Sequence, residues 1–290
     1  MKSKRDIKEA WKAWQNCLYS DDPNSIMLQI IHMNWNTAIY RLIHESRRAT
    51  IRQNPQKPQV NLYFHTFLDN CFYESQAAAL RRIIDSPHSS INENRKDVYS
   101  LRALLKDIQD HRKQLDRKTY IQLQRHDNTD WDDIHDGQYQ KIFDQLSMTS
   151  ENTRRGDDLI SNQVLEKINR KIDQTSCEVM KYVDKFIAHS ATPESRRIDN
   201  LQEDITLGDI WNAQKIVIEV SVFLLNVLFN KEWVLLPFVP PAFYENWGAT
   251  LYNEDDTEML EQVMRNYQNE MDQLRINSQR DVWSWIEDSK

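Results

Sequence analysis

Apolar residues recur at intervals of three and four positions along most of the chain. This spacing places them on one face of an α-helix, whereas a half-buried strand would show strict alternation. It predicts helices over residues 4–19, 25–53, 62–85, 99–115, 139–148, 159–189, 207–229 and 257–286. The sequence therefore predicts an all-α protein, built as an antiparallel bundle of long helices.

Several of these helices have a recognisable apolar face. The stripe of the 25–53 helix includes Ile31, Trp35, Ile39 and Leu42. The stripe of the 159–189 helix is formed by Ile160, Val164, Ile168, Ile172, Val179 and Val183. The 207–229 helix is the most hydrophobic, so we expect it at the centre of the bundle, packed against the 159–189 helix. The 257–286 helix has a narrow seam that suits either a helix of this chain or one of a partner.

Two segments differ from the helices in composition. Residues 126–137 contain five aspartates, and a calcium loop is one interpretation of them. With Asp132 as first ligand, however, Ile134 takes the third position and Phe143 the position of the closing glutamate, so a solvated loop is predicted. Residues 232–247 are aromatic-rich and broken by prolines, and we expect them to form an ordered arm on the body.

The composition excludes several classes of protein. The chain has four glycines, and none lies in a glycine-rich cluster of the kind that wraps a phosphate or opens a dinucleotide fold. A net charge of −7 and a pI near 5.7 argue against a chain that coats nucleic acid by bulk charge, although a local basic groove stays open. We expect neither a cofactor nor a metal.

The cysteines and the apolar runs predict a soluble, cytoplasmic protein. Cys17, Cys71 and Cys177 are odd in number and far apart, which is typical of buried thiols in a reducing compartment. The N-terminus lacks the apolar core of a signal peptide. The most apolar run, 216–229, is short for a membrane span and contains Glu219.

The clearest candidate for chemistry is His189, at the end of the 159–189 helix. Tyr182, Lys185 and His189 share one helical face, and the helix must end before Pro193. A histidine at a helix C-terminus titrates near neutral pH and can transfer protons. The alternative is that His189 only caps the helix and packs on Tyr182.

The segments AALRRIID, SLRALLKDI and KYVDKFIAHS resemble the HEPN superfamily of helical bundles, specifically its bacterial abortive-infection U-type branch. The resemblance implies a homodimer that acts in phage defence or in a toxin–antitoxin system. Many HEPN proteins are metal-independent ribonucleases with an arginine, four to six residues and then a histidine, contributed by both protomers to one site. By this resemblance, 59–230 would be the HEPN-like bundle of a single body, preceded by a helical hairpin over 1–58 and followed by the arm and last helix over 231–290.

The chain departs from the family pattern at the motif arginine. The positions from which it would pair with His189 are Tyr182, Val183 and Asp184, and none is cationic. If His189 is catalytic, we expect Arg196, Arg197 or a partner subunit to supply the arginine, with Lys185 and Tyr182 lining the phosphate pocket.

Further cations are candidates for binding RNA. Arg81 and Arg82 precede His88 at the motif's spacing, and Arg47 and Arg48 could contact phosphates or simply form a solvated tip. The alternative function is a non-catalytic helical module or scaffold that binds nucleic acid, a nucleotide or a protein partner such as an antitoxin.

Overall fold

The computed structural model describes residues 6–53, 62–85, 99–125, 132–183, 206–233, 235 and 257–280. For residues 53, 132–135, 175–178, 257 and 278–280 it describes the backbone alone. Within these ranges the elements are helices, apart from an isolated bridge between Asp116 and Leu159. The prediction of an all-α helical bundle is confirmed.

The helices follow one another with short connections wherever the chain is described between them. They are α1 Ile7–Leu18, α2 Ile26–Gln53, α3 Leu62–Ile84, α4 Leu101–His111, α5 Arg117–Gln124, α6 Asp132–Ser147, α7 Asn162–Tyr182, α8 Leu207–Phe229 and α9 Thr257–Arg280. Single 3₁₀ turns, Arg112–Gln114 and Glu151–Thr153, follow α4 and α6.

Two features of this order differ from the prediction. Helix α5 was not anticipated; Asp116 caps it by accepting a hydrogen bond from the Thr119 amide at 2.8 Å. Helix α6 begins at Asp132, inside the span predicted as a solvated loop, so that prediction is wrong from Asp132 onward. Acidic residues favour the first turn of a helix because they face the positive end of its dipole, and this explains the aspartates there.

The most hydrophobic helix, α8, lies at the centre as predicted. It packs against α7, α9, α3 and α2, and most of its side chains are buried. The predicted inner stripe of α7 is also confirmed, since all of its members from Ile160 to Val183 are buried. These two helices make the most extensive helix–helix contact in the described part of the chain.

The length of α8 bears on the expectation about membranes. At 23 residues the whole helix is long and apolar enough to cross a bilayer by length and composition alone, although the predicted run 216–229 within it is shorter. In the fold, however, 72% of its most apolar window is buried against other helices. That is the environment of the core helix of a soluble protein.

The buried face of α2 is rotated from the predicted one. Leu42 is buried, but Ile31, Trp35 and Ile39 are only partly so. The fully buried face instead includes Asn34 and Thr37, which are polar and were therefore not counted as core. Asn34 donates a hydrogen bond from Nδ2 to the Leu235 carbonyl at 2.9 Å, which pairs the nitrogen of its side-chain amide, while Oδ1 has no partner among the described residues.

Helices α2 and α3 form an antiparallel hairpin around polar and aromatic contacts. Gln214 of α8 donates from Nε2 to Thr37 Oγ1 at 3.0 Å and to Gln76 Oε1 at 2.7 Å, which ties both helices to α8. Further along, the rings of Tyr40 and Phe72 stack with centroids 3.8 Å apart. The residue number therefore falls along α3 as it rises along α2.

The apolar seam of α9 is used within the chain. Leu260, Met264, Tyr267 and Met271 are buried, and α9 packs on α8 and α2. Intrachain packing thus accounts for this seam. The predicted aromatic arm, by contrast, lies mostly outside the described residues; Trp233, at its start, contacts Tyr19 with ring centroids 5.9 Å apart.

The cysteines do not share one environment. Cys17 is buried, and burial is the main cause that raises the pKa of its thiol to about 12, so the thiol stays protonated at neutral pH. Cys71 is exposed on the outer face of α3, and the prediction that it is a buried thiol is wrong. The side chain of Cys177 is not among those described.

Candidate functional site

Helix α7 ends at Tyr182, the first of the predicted catalytic residues, and is firmly held in the bundle. Ser161 caps its start by accepting a hydrogen bond from the Gln163 amide. Lys171 forms an ion pair with Glu219 of α8 at 2.9 Å, and Asp173 pairs with Arg102 of α4 at 2.5 Å. Any group at the C-terminal end of α7 therefore projects from a helix fixed on two sides.

At that end the inner stripe stops at Val183, which is buried. Tyr182, its neighbour, is only partly buried and packs against the core. It is the one predicted catalytic residue that the structure describes. The predicted site residues that lie outside the described ranges are Lys185, His189, Arg196, Arg197 and His88.

The predicted RNA-binding arginines lie at opposite ends of α3. Arg47 and Arg48 are near the end of α2, beside the start of α3, because Arg47 reaches Asp69. Arg81 and Arg82 are in the last turn of α3. Arg82 is exposed and Arg81 is partly buried. At 1.5 Å per residue, about 18 Å of helix separates Asp69 from Arg81. These four residues do not converge on one basic surface.

Arg47 and Arg48 are also neutralised by nearby acids. The Arg47 guanidinium lies 3.1 Å from Asp69 Oδ2, and that of Arg48 lies 2.8 Å from Glu45 Oε1. Asp69 Oδ1 additionally accepts a hydrogen bond from the Tyr40 hydroxyl at 2.9 Å. Burial first, and then the hydrogen bond to Asp69, raise the pKa of Tyr40 above its usual value.

Two histidines adjoin this cluster and were not singled out from the sequence. The pKa of His44 is lowered, mainly by burial and then by the charges of Arg47 and Arg48. The pKa of His65 is lowered by burial and by Arg47. Both imidazoles are therefore biased toward the neutral form at pH 7, which is the form able to accept a proton. We define Tyr40, His44, Arg47, His65 and Asp69 as the α2–α3 cluster.

A second cluster surrounds Arg117, the first residue of α5. Its side chain is 3% exposed, and its guanidinium pairs with Asp144 at 2.9 Å and Asp158 at 3.0 Å. It also donates to the Gln140 carbonyl, at 3.1 Å, and to Thr149 Oγ1, at 2.7 Å. Nearly all of its donors are satisfied inside the protein, as a buried charge requires.

Asp144 receives a second arginine in this cluster. Arg154 Nε lies 2.8 Å from Asp144 Oδ2 and 2.9 Å from Oδ1. Burial by itself would raise the pKa of the Asp144 carboxyl, but the hydrogen bonds from Arg154 and Arg117 outweigh it and hold that pKa below its usual value. The cluster joins α5, α6 and the connection to α7, which identifies it as structural.

Nothing in the hydrophobic pattern singled out Arg117. The Asp116 cap directly before it could have indicated where α5 begins, but not that Arg117 is buried. Its acidic partners are far away in sequence, Asp158 by 41 positions. No group of three or more potential ligands that could hold a metal occurs in the part of the chain that the structure describes.

Comparison with known families decides the affiliation of the bundle. The family model of the AbiU2 group of HEPN proteins matches residues 24–246, more than three quarters of the chain. The chain belongs to the AbiU2 family of HEPN proteins. It is thereby an abortive-infection-type HEPN protein. No curated protein and no solved structure matches the chain.

The AbiU2 match places the sequence features relative to the family. It begins two residues before α2, extends beyond α8 and includes the whole segment from Tyr182 to His189. Helices α1 and α9 lie outside it, yet both pack on the core, α9 on α2 and α8, and α1 on α4. The match to the family thus leaves one described helix of this chain on either side of it.

Proposed function

We propose that this AbiU2-family protein acts in phage defence as a metal-independent endoribonuclease with His189 as the general acid–base. The imidazole would take the proton of the ribose 2′-hydroxyl, whose oxygen attacks the adjacent phosphorus to give a 2′,3′-cyclic phosphate. The bond from phosphorus to the 5′-oxygen would break, and the imidazolium would return the proton to that oxygen. Lys185 and Tyr182 would line the phosphate pocket. Such proton transfer by a positioned histidine contributes about 10²- to 10⁴-fold in rate.

The observation that carries this proposal is the placement of α7 within the region that matches the family. The helix is tied to α8 and α4 by ion pairs, and its buried stripe stops at Val183, with Tyr182 partly exposed beside it. A fixed helix that leads toward His189 in the sequence would supply the preorganised support that acid–base catalysis needs. It favours this function over a cap, because a cap does not require the shared face of Tyr182, Lys185 and His189.

The arginine that completes the site would come from Arg196, Arg197 or a second subunit. An arginine donates two parallel hydrogen bonds to phosphate oxygens and stabilises the charge that grows on them, which lysine does less well. A homodimer in the cytoplasm, with two such sites facing each other, fits this chemistry. An antitoxin or another protein would then control its activity.

The test is cleavage of total RNA and transfer RNA, with a chelator present, by the native protein and by His189→Ala. We expect the substitution to reduce the cleavage rate by about 10²-fold or more. The matched control is His32→Ala, because His32 is exposed on α2 and takes no part in the proposed site. Equal loss in both variants, or no loss in His189→Ala, would contradict the assignment.

A second experiment locates the arginine. Replacing Arg196 and Arg197 together by alanine should lower the cleavage rate by about 10²-fold without unfolding the protein. Unchanged cleavage would transfer the role to an arginine elsewhere in the chain or in a second subunit.

A non-catalytic binding module is the second candidate, and two observations favour it. The chain has no cation at the motif position before His189, and Arg47 and Arg48 are each paired with a carboxylate. A binding module would retain RNA on a filter or retain a protein partner, with no cleavage by the native protein. Its affinity would be the same in His189→Ala.

A further inference from the structure

One group of titratable side chains takes no part in the proposed nuclease, and it is the α2–α3 cluster. Asp69 lies at its centre, with a different partner on each carboxylate oxygen. Oδ1 accepts a hydrogen bond from the Tyr40 hydroxyl at 2.9 Å, and Oδ2 accepts one from Arg47 at 3.1 Å. The Tyr40 ring is in turn stacked on Phe72. The carboxylate is therefore fixed, and it holds the guanidinium of Arg47 in one direction.

Arg47 keeps hydrogen-bond donors for a further partner. A guanidinium has five N–H groups, and within the described residues Asp69 accepts from one of them. The Arg47 side chain is 20% exposed, so a small solute can reach it. Arg117 is the contrasting case, because it is 3% exposed and its donors are engaged by acids and neutral acceptors around it. The remaining edge of Arg47 has the planar geometry that binds two oxygens of one phosphate group.

Two imidazoles beside Arg47 have no hydrogen-bond partner in the part of the chain that the structure describes. His65 Nδ1 is buried and unpaired. His44 Nδ1 lies 4.0 Å from Glu45 Oε1, which is longer than a hydrogen bond. Buried polar atoms in folded proteins are nearly always paired, so a ring nitrogen without a partner, beside a partly engaged guanidinium, is available to a ligand.

The charges around both imidazoles favour an anionic ligand. Burial first, and then the charge of Arg47, lower the pKa of both histidines, and Arg48 adds to this effect on α2. Asp69 opposes the shift at both rings, and Glu45 opposes it on α2. A phosphate group placed against Arg47 would add negative charge beside both rings and raise both pKa values. Binding would therefore be coupled to proton uptake, which turns both rings into hydrogen-bond donors.

The cluster lies at a defined end of the bundle, and α8 supplies the scale. Gln214 donates to Gln76, and α3 runs parallel to α8 because both are antiparallel to α2. Asp69 is seven residues before Gln76, and Leu207 is seven residues before Gln214. Both intervals correspond to about 10 Å of helix, so Asp69 is level with the start of α8.

Helix α7 ends at the same level. Its start lies beside the end of α8, because α5 donates through Tyr120 to the Val227 carbonyl and the isolated bridge links the cap of α5 to the residues just before α7. Helices α7 and α8 are therefore antiparallel. Lys171 pairs with Glu219, and Tyr182 is eleven residues beyond Lys171, while the start of α8 is twelve residues before Glu219. A nucleic acid bound at the end of α7 would thus have phosphates at the height of the α2–α3 cluster.

We propose that the α2–α3 cluster is a binding site for a phosphate group. Arg47 binds two of its oxygens, and Asp69 holds Arg47 in place. His44 and His65 donate to it as imidazolium rings. The site does not depend on His189 or on cleavage, so it goes beyond the ribonuclease. The net charge of −7 repels anions from the surface as a whole, so saturable binding of phosphate requires a local site of this kind.

The first test is isothermal titration calorimetry of the native protein with three probes. Inorganic phosphate, adenosine 5′-monophosphate and a short oligodeoxythymidylate carry the phosphate group as a free anion, in a nucleotide and in a strand. The last probe lacks 2′-hydroxyl groups, so the proposed nuclease reaction cannot cleave it. We expect saturable binding at one site per chain, and the probe that binds most tightly identifies the source of the phosphate. No saturable binding of any probe would overturn the site.

The second test removes the guanidinium. Arg47→Ala should raise the dissociation constant about ten-fold or more, because it removes charge-assisted hydrogen bonds. The matched control is Arg52→Ala, which removes the same charge from an exposed position in the last turn of α2 and should raise the constant less than about two-fold. Circular dichroism checks that both variants keep their helices. Equal losses in the two variants would mean attraction by general charge and would contradict the site.

The third test uses the pH dependence of binding. The diesters of the oligodeoxythymidylate stay singly charged near neutral pH, so a change in its affinity reports on the protein. The affinity should rise as the pH falls from about 8 to about 6, because both imidazoles take up protons more readily in the bound state. Replacing His44 and His65 together by glutamine should make the affinity independent of pH in this range, whereas His32→Gln, at an exposed position of α2, should not. An unchanged pH dependence in the double variant would refute the site.

The outcomes separate this site from the ribonuclease. Saturable phosphate binding without RNA cleavage would support the site and contradict the nuclease, and cleavage without such binding would do the reverse. Where both occur, Arg47→Ala should raise the KM for RNA and leave kcat nearly unchanged, because it removes binding that substrate and transition state share. His189→Ala should instead lower kcat.

Discussion

Two clusters built from the same residue types, arginine and aspartate, differ in how deeply they are buried. Around Arg117 the guanidinium is 3% exposed and its partners Asp144 and Asp158 are 13% and 12% exposed. In the α2–α3 cluster, Arg47 is 20% exposed and Asp69 30%. The first joins three segments of the fold, whereas the second borders the exposed start of α3.

The difference teaches that an ion pair must be interpreted from its surroundings. A buried arginine that is paired contributes little net stability. Removing either the arginine or its acidic partner, however, leaves the other charge uncompensated in a medium of low dielectric constant. A partly exposed pair loses much less, because water replaces the missing partner. The Arg117 cluster should therefore hold the fold, and the α2–α3 cluster should be free to change without unfolding it.

The largest effect is expected for Arg117→Met. The substitution keeps most of the side-chain volume but leaves Asp158 without its cation and Asp144 with only Arg154, so the free energy of unfolding should fall by about 3 kcal/mol. Urea denaturation followed by circular dichroism measures it. The control is Arg155→Met, an exposed neighbour expected to change stability by less than about 0.5 kcal/mol. Similar values for the two variants would refute the structural role of Arg117.

A smaller effect is expected for Asp69→Ala in the α2–α3 cluster. The change removes the acceptor of Tyr40 and the ion partner of Arg47, and it should lower the free energy of unfolding by about 1 kcal/mol, since solvent reaches both groups. The adjacent exposed Asn70→Ala is the control. A loss as large as that of Arg117→Met would mean that the two clusters do not differ in the way their burial indicates.

Lowering the pH should destabilise the α2–α3 cluster before the Arg117 cluster, without any substitution. The pKa values of His44 and His65 are lowered from 6.5, so the unfolded chain binds protons at these sites before the folded chain does. Their contribution to stability is present above pH 6.5 and is lost as pH falls through the lower folded values. The pKa of Asp144 is lowered from 3.8, so its contribution persists until pH falls below 3.8.

Amide hydrogen exchange, corrected for its intrinsic pH dependence, measures this difference in pH sensitivity between the two clusters. Between pH 6.5 and 4.5 the end of α2 and the start of α3 should lose protection, while α5 and α6 keep theirs. The charges around His44 include Glu45 and Asp69, which oppose the shift, and Arg47 and Arg48, which promote it. Replacing both histidines by glutamine should remove the loss; an equal loss in the double variant would assign it to other groups.

The smallest effect on stability is expected for Arg48→Ala. The Arg48 side chain is 55% exposed and pairs with Glu45 within one helix, so the free energy of unfolding should change by less than about 0.5 kcal/mol. Denaturation under the same conditions as for Arg117→Met measures it. A loss above about 1 kcal/mol would show that the tip of α2 is more tightly coupled to the core than its exposure indicates.

The sequence predicted some parts of the molecule well because they depend on local periodicity. The buried stripe of α7 and both ends of α8 were predicted residue by residue, since long runs of apolar side chains at helical spacing have one way to be buried. The face of α2 was predicted less well. Its true inner face contains Asn34 and Thr37, and a pattern of apolar residues cannot recognise a polar residue that donates its hydrogen bond inside the core.

For the candidate site, too, the sequence predicted one part and missed another. The segment KYVDKFIAHS was recognised from its residues, and the family match over 24–246 supports that recognition. The separation of Arg47 and Arg48 from Arg81 and Arg82 depends on the length and direction of α3, and their pairing with acids depends on its neighbours. Sequence spacing contains neither kind of information.

The sequence alone determined that this protein is a bundle of long helices around α8 and that it resembles the HEPN abortive-infection proteins, because helical periodicity and short family segments are local properties. Only the tertiary structure decided which charged residues are buried together, as in Arg117 with Asp158, and which apolar residues remain outside, as in Tyr63 and Phe67. The physical reason is that burial and ion pairing depend on distances between residues remote in the chain, and those distances are set when the helices pack.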